Sequence, residues 1–377
     1  MIVIKRAYKA LLAHKKNSVS NLRLLTTRLA EDVAIVRKRK LYADVVWTKE
    51  QQEEFDRYWI QNYGKKIPNM WHKLYQHYTH RFNVEYIPEK LYTTKIEPFL
   101  NPYFQAYEYQ NKGILELLIS DKIAGIARCP KTYVVGDNGI LYGENRNVIE
   151  KTGALAILKD AGDVVIKPTK DSSSGKNICI LNLKNGKDLK TGQGLETILN
   201  QYPDGNFIAQ EKLKPSEKLA KIYPKSINTF RVITYTVDGE VYTAPIVLRI
   251  GVSGNEVDNI HAGGLCIHVD NNGILSKEAF QLGYGTKDIR FSKHPDSGLV
   301  FDGYRIDEIP NVIKAVKIAH GCMAGLGIIS WDVTLDSDNI PVIIEANIVG
   351  QSVWFPQIVS GKAIFGDHTT KILQKVH

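Results

Sequence analysis

The sequence is short of the features that would place it in several large classes. Its four cysteines, Cys129, Cys179, Cys266 and Cys322, lie far apart with no C-x-x-C pair, which excludes a disulfide scaffold or a cysteine-built zinc site and fits a reducing cytosol. No apolar run reaches the ~20 residues of a membrane-spanning helix, and no signal peptide with a small-residue cleavage site is recognisable. No internal repeat, low-complexity tract or G-x-x-x-x-G-K-[ST] phosphate loop is present. Acidic excess is also missing. The net charge is +9, and the first forty residues hold eleven Lys/Arg against only Glu31 and Asp32. The whole surplus therefore sits in an N-terminal arm, and the rest of the chain is neutral.

What is present is an ordinary globular composition, 44% apolar and 24% charged over 377 residues, enough for two or three lobes at roughly 100–200 residues each. Residues 1–105 read as a basic, mainly helical, aromatic-rich region. Ile4, Tyr8, Leu11 and Leu12 share one face of a helix over residues 1–16, and Leu22, Leu25, Leu29, Val33 and Val36 recur at helical spacing. Thr48 and Gln51 form a capping-box pattern that opens a helix ending at Gly64. After Pro102 strand-like runs alternate with helices. Runs over 132–135, 164–167, 178–181, 206–210, 229–236, 240–248, 266–269 and 342–345 are strands, with Asp238-Gly239 as a hairpin turn. Helices are expected over 113–120, 154–161, 196–201 and 310–326. The hairpins indicate α+β lobes rather than a doubly wound parallel sheet.

Two apolar runs each deliver an acid near their end: Ile328–Val333 with Asp332, and Pro341–Asn347 with Glu345. A turn over 336–339 joins them as a hairpin, which sets Asp332 beside Glu345, with Asn347 two residues on. Two carboxylates and an amide carbonyl form a hard oxygen cluster suited to Mg²⁺ shared with phosphates. Taken alone, the same pattern more often describes two strands with solvated acids at their ends. Val164–Lys167 is a strand that ends in a lysine, followed by Ser172, Ser173, Ser174, Gly175 and Lys176. A lysine leaving a strand and a small-residue loop together offer an ammonium and backbone amides to phosphate oxygens. Phe207–Leu213 is a strand running into a polar turn, and such a linker can meet an adenine edge.

The order of these pieces resembles the ATP-grasp superfamily: Asn111-Lys112, Pro130-x-Thr132, Lys167, the small-residue loop, the linker, Arg231, Arg249, Asn259…Gly263-Gly264, Asp332 and Glu345-x-Asn347. The block Trp71-His72, Tyr86–Glu89, Leu91-Tyr92, Ile96–Pro98 and Leu100-Asn101 is similar to the sugar-transfer-associated ATP-grasp proteins found with polysaccharide biosynthesis. The resemblance covers about residues 70–365. It implies an ATP-grasp fold of two α+β lobes gripping ATP behind a helical N-terminal region. The corresponding divisions are 1–105, a first subdomain 106–160, a lid subdomain 161–212 and a metal and substrate lobe 213–377.

Residue by residue, the resemblance implies that Lys112 and Lys167 contact ATP phosphates and that Ser173, Ser174 and Gly175 form the lid. Gln210 and Leu213 would flank the adenine, Glu217 would hold the ribose, and Asp332, Glu345 and Asn347 would bind Mg²⁺. Arg231 and Arg249 would neutralise the transferred phosphoryl group, with Asn259, Gly263 and Gly264 beside the reacting groups and His261 a candidate to assist amine deprotonation. Asn111 replaces a frequent aspartate, so Lys122 competes with Lys112. The lid has one glycine, and Gln210 stands where an acid is more usual.

The chemistry implied is a carboxylate-amine ligation through an acyl phosphate, joining an amino acid to a sugar acid or amino sugar of a surface polysaccharide in the cytoplasm. A kinase on the same scaffold and a non-catalytic adaptor are the alternatives. The basic arm lacks the interleaved aromatics of a nucleic-acid surface. It reads instead as peripheral contact with an anionic membrane through residues 1–40, or as a helix docked on its own lobe or on a second subunit.

Overall fold

A computed structural model describes residues 22–170, 177–260, 263–282 and 289–376. They form two compact units, one from residues up to Phe104 together with those from Val349 onward, the other from residues 105–282 and 289–348. The helix expected over residues 1–16 and the lid residues Ser173, Ser174 and Gly175 lie outside the described residues, as does His261.

In the first unit local chemistry sets the helix ends. Thr48 Oγ1 accepts the Gln51 N–H at 3.2 Å and Gln51 Oε1 accepts the Thr48 N–H at 3.1 Å, which satisfies two otherwise orphaned donors at the start of Lys49–Tyr63. Gly64 closes the helix in the left-handed conformation, φ 77°, where a side chain would be strained. This helix buries Phe55, Trp59 and Tyr63, and Met70–Thr79 buries Trp71, His72, Leu74, Tyr75 and Tyr78. Their rings meet edge to face, Phe55 and His72 with centroids 4.7 Å apart.

The stretch from Val349 belongs to this unit and not to a lobe running from 213 to the C-terminus. Polar groups bind it there. The Gln357 amide brackets Ile87, accepting its N–H at 2.8 Å and donating to its C=O at 2.9 Å. Glu97 accepts the Gly350 and Gln351 N–H groups at 3.1 and 2.8 Å, one on each oxygen. Glu89 accepts those of Val353 and Trp354 at 3.0 and 2.9 Å, both on Oε2.

The second unit holds two antiparallel sheets. The first contains β1 (Thr132–Asp137), β2 (Ile140–Tyr142), β3 (Val148–Ile149), β4 (Asp163–Pro168), β5 (Cys179–Lys184), β6 (Lys187–Asp188) and β7 (Phe207–Glu211), in the order β3-β2-β1-β7-β4-β5-β6. A boundary at residue 160 therefore does not separate two sheets, because β7 pairs with β1 on one side and β4 on the other. The second sheet contains β8 (Thr229–Val237), β9 (Glu240–Thr243), β10 (Ile246–Ile250), β11 (Leu265–Val269), β12 (Ala279–Gln281), β13 (Ile289–Phe291), β14 (Ile328–Leu335) and β15 (Pro341–Asn347). Its order is β13-β12-β11-β10-β8-β14-β15, with β9 paired to β8.

Asp238 and Gly239 both take positive φ, 53° and 85°, the two-residue turn that matches strand twist. The single run expected over 240–248 is split at Ala244-Pro245, since proline supplies no ladder N–H. Consequently β9 pairs only with β8, whereas β10 pairs with β8 and β11. Helix Ile309–Gly321 buries Val312, Ala315, Val316 and Ala319. On the sheet face of Trp331, Thr234 Oγ1 accepts the Trp331 Nε1–H at 2.8 Å and meets His320 Nδ1 of this helix at 2.7 Å. The other face remains for chemistry.

Candidate functional site

Strand pairing assembles the site. Asp332 on β14 stands directly opposite Arg231 on β8 and Glu345 on β15, and cross-strand partners share a face. Arg249 on β10 pairs with Thr229 on β8, two residues from Arg231, so it lies on that face too. A period of two would set Glu345 on the same side as the buried Ile343. The register shifts between Asp332 and Val333, pairing Asp332 with Glu345 but Val333 with Ile343. The extra residue, Ile344, is a bulge that turns Glu345 and Asn347 onto the Asp332 face.

The side chains then meet. Arg231 forks onto Asp332, Nε to Oδ1 at 2.7 Å and Nη2 to Oδ2 at 3.3 Å. Arg249 Nη2 reaches Asp332 Oδ2 at 3.2 Å. Arg249 is aimed by Thr229, whose Oγ1 accepts from its Nε at 2.9 Å. Thr229 in turn donates both its N–H and its hydroxyl to Asp258 Oδ2, at 2.7 and 2.6 Å. Burial alone would raise the Asp332 pKa, but Arg231 and Arg249 outweigh it and hold the carboxyl below the usual aspartate range. Cys266, opposite Arg249 on β11, is pushed up to about 12 by burial and so remains an inert thiol.

Lys112 opens the helix Lys112–Ile123, where the Asn111 side chain caps the Gly113 N–H at 2.9 Å. Its own N–H donates to Thr169 O at 2.8 Å, just beyond β4, and its ammonium lies 3.2 Å from Glu345 Oε1. Lys122 is exposed in the last turn of the same helix, roughly 15 Å further along the axis. The ion pair with Glu345 is made by Lys112.

Lys167 on β4 is buried. Burial lowers its pKa, Glu345 opposes that shift, and Lys112 adds to it. Gln210 pairs with Val165, and Thr132 pairs with Gln210, so Gln210 shares the sheet face of Lys167 and spends its Nε2–H on Thr132 Oγ1 at 3.1 Å. Leu213 is half-buried just past β7.

One expected residue is not brought in. Glu217 starts helix Glu217–Ile222 with its side chain 81% exposed and paired to Lys221 at 2.8 Å. Ser216 caps that helix through the Leu219 N–H at 3.3 Å, and this fixes Glu217 on its solvent side. Asn259, Gly263 and Gly264 form a close turn: the Gly264 N–H donates to Asn259 O at 3.1 Å. A Cβ on Gly264 would stand 2.6 Å from Asp258 O and 2.9 Å from Asn259 O. Asp258, behind Arg249, was not legible as a site residue; its place beside Asn259 in the same motif was the available signal.

The oxygen set suits a hard cation. Asp332 and Glu345 are cross-strand neighbours, and Asn347 donates Nδ2–H to Ser330 O at 3.2 Å, so that Oδ1 is the atom it would offer to a cation. Among the described residues, Ser330 Oγ on the same face is buried without a hydrogen-bond partner. Also among the described residues, no three His, Cys, Asp or Glu side chains cluster. A cation here would complete its shell with phosphate or water oxygens, as Mg²⁺ does.

The sequence matches the family described as "sugar-transfer associated ATP-grasp" over residues 91–374, well over half of the chain. No curated protein shows a sequence match to it. Among solved structures it is similar to N5-carboxyaminoimidazole synthase from Aspergillus clavatus, at 11% identity and TM-score 0.37 over 67% of this chain and 48% of that one. It is also similar to an L-amino acid ligase from Bacillus licheniformis, at 12% and 0.38 over 72% and 49%. A third is D-alanyl-alanine synthetase A from Vibrio cholerae, at 11% and 0.40 over 71% and 65%. The chain spans about half the length of the first two, and so distant a likeness carries nothing about substrate.

Proposed function

The chain belongs to the sugar-transfer-associated ATP-grasp family, and from that premise we propose that it is an ATP-dependent carboxylate-amine ligase. The observation that carries the reading is the single sheet face on which Arg231, Arg249, Asp332, Glu345 and Asn347 meet, with Lys112 ion-paired to Glu345. Cations and oxygen ligands set side by side are what a polyphosphate and its metal require. A substrate carboxylate oxygen attacks the γ-phosphorus, the bond to the β-γ bridging oxygen breaks, and ADP leaves. An amine nitrogen then attacks the carbonyl carbon of the acyl phosphate, phosphate leaves, and the amine loses a proton.

In this reading Lys112 and Lys167 hold the α- and β-phosphates. Arg231 and Arg249 stabilise the charge on the γ-phosphoryl oxygens, and preorganised cations in a buried site do this with little reorganisation. Thr229 and Asp258 keep Arg249 aimed. Mg²⁺, held by Asp332, Glu345 and Asn347, would screen the phosphate charge. Gln210 and Leu213 are the residues offered to the base, and Ser173, Ser174 and Gly175 the cover that excludes water. We assign the ribose contact to no residue, since Glu217 is turned to solvent.

For substrates, we propose a sugar acid or amino sugar of a surface polysaccharide joined to an amino acid in the cytoplasm; the family description supports the link to sugar transfer. The test is purified protein with Mg-ATP, uronic-acid glycans and amino acids. ADP release that needs both partners, with ¹⁸O moving from the labelled carboxylate into phosphate, supports the ligase. A phosphorylated hydroxyl acceptor would replace it by a kinase, and absence of Mg-ATP binding would leave only an adaptor.

A further inference from the structure

Among the described residues, the helical residues 22–37 are anchored to the first unit on one side and expose an apolar stripe on another. Ile35 is buried. The Arg23 guanidinium lies 4.1 Å above the Tyr103 ring, Asp32 pairs with Lys90, and Lys38, just past the helix, lies 4.9 Å over the Trp354 ring. These contacts anchor one side. On the other, Leu22, Leu25, Leu29, Val33 and Val36 are each between 49% and 64% exposed. At 3.6 residues per turn they fall within an arc of roughly 80°, facing away from Ile35. The fully exposed charges on this helix and just after it are basic: Arg28, Arg37, Arg39 and Lys40. Of the nearby acids, Glu31 is half-buried, and Asp32, at the Leu25 edge of the stripe with its side chain 47% exposed, is paired with Lys90.

We propose that this face docks on an anionic lipid bilayer, with the helix lying in the plane of the headgroups. Five half-exposed aliphatic side chains offer on the order of a few hundred Å², short of the roughly 800 Å² per partner of a stable protein interface. A second copy would also oppose like charges, whereas a bilayer with anionic headgroups meets both the stripe and its basic rim. Among the described residues no helix is long and apolar enough to cross a membrane, so the contact is peripheral. The proposal does not depend on the ligase reading.

The test uses the full chain and co-sedimentation with vesicles of phosphatidylcholine, alone or with about a third phosphatidylglycerol. The sequence before the helix adds five Lys/Arg and no acid, so the deciding variants are on the helix itself. The parent is expected to sediment with the anionic vesicles only and to be released by about 0.5 M salt, which screens the charges. Leu25→Ser with Leu29→Ser, and separately Arg28→Glu with Arg37→Glu, should each weaken partitioning at least about tenfold. All four positions are exposed, so the melting midpoint should not move. Equal binding of parent and variants, or binding to neutral vesicles alone, overturns the proposal. So does a parent dimer that ignores vesicles and becomes monomeric with the leucine variant, since a second copy would then cover the face.

Discussion

Replacing Asp332 by asparagine separates the charge balance of the site from its chemistry. The carboxylate is buried and touches both Arg231 and Arg249. Asparagine keeps an acceptor for Arg231 Nε but removes the negative charge, and leaving buried cations uncompensated costs about 3–5 kcal/mol. Adding Arg231→Met removes one of the two stranded cations, while Arg249 keeps Thr229 and the Asp258 carboxylate 3.9 Å away. The double variant should therefore regain about 1–3 kcal/mol, the range of coupling between contacting residues. Turnover should behave differently. Both variants should lose at least ~100-fold in ATP-dependent ADP release, the scale for losing a preorganised electrostatic group, and both should need more Mg²⁺.

The acid limb offers a further check. The native pKa of Asp332 lies below its unfolded value, so its contribution is complete above ~3.9 and is lost as pH falls through the depressed native value. Asp332→Asn should remove that loss. Urea unfolding across pH measures stability, and a coupled ADP assay measures turnover. Parent-like turnover in Asp332→Asn would sink the assignment of Asp332 to the site, and a double variant as unstable as the single would refute the charge argument.

Lys112→Ala should lower ADP release at least about tenfold and Lys122→Ala should leave it within about twofold, because only Lys112 pairs with Glu345; equal effects in steady-state assays would reject the choice. Burial pushes Glu89 up to about 8 and Glu97 up to about 7, against the backbone N–H groups that lower them. Their native pKa values thus exceed the unfolded ~4.3, so stability should fall as pH rises from there through the native values. Glu89→Gln should flatten part of that slope at little cost, because one oxygen takes both N–H groups. Glu97→Gln should cost about 1–3 kcal/mol, since an amide NH₂ must then face a backbone N–H; thermal melts of both variants over pH decide. Gly264→Ala should cost about 1–3 kcal/mol and lower turnover by displacing Asp258 behind Arg249, as its Cβ would meet backbone oxygens; an unchanged melt and turnover would show that the turn yields freely.

What the sequence determined by itself is what neighbours along the chain decide. The Thr48–Gln51 box, the Gly64 stop and the Asp238-Gly239 turn need only the groups within a few residues, and all three form. The acid-bearing strands were legible for the same reason, since apolar runs bounded by turns declare themselves. Tertiary structure decided which residues meet. The bulge at Ile344 that turns Glu345 toward Asp332 depends on the register with β14, which no period within β15 reveals. The relay from Asp258 through Thr229 to Arg249 depends on how β8, β10 and a distant turn come together. That Glu217 faces solvent and pairs with Lys221 was not legible, because the chain order of a motif does not say which side of a helix faces solvent. The segment after Val349 joined the first unit because Glu89, Glu97 and Gln357 satisfy its backbone there. Hydrogen-bond partners hundreds of residues apart are set by packing, and packing is not a local property.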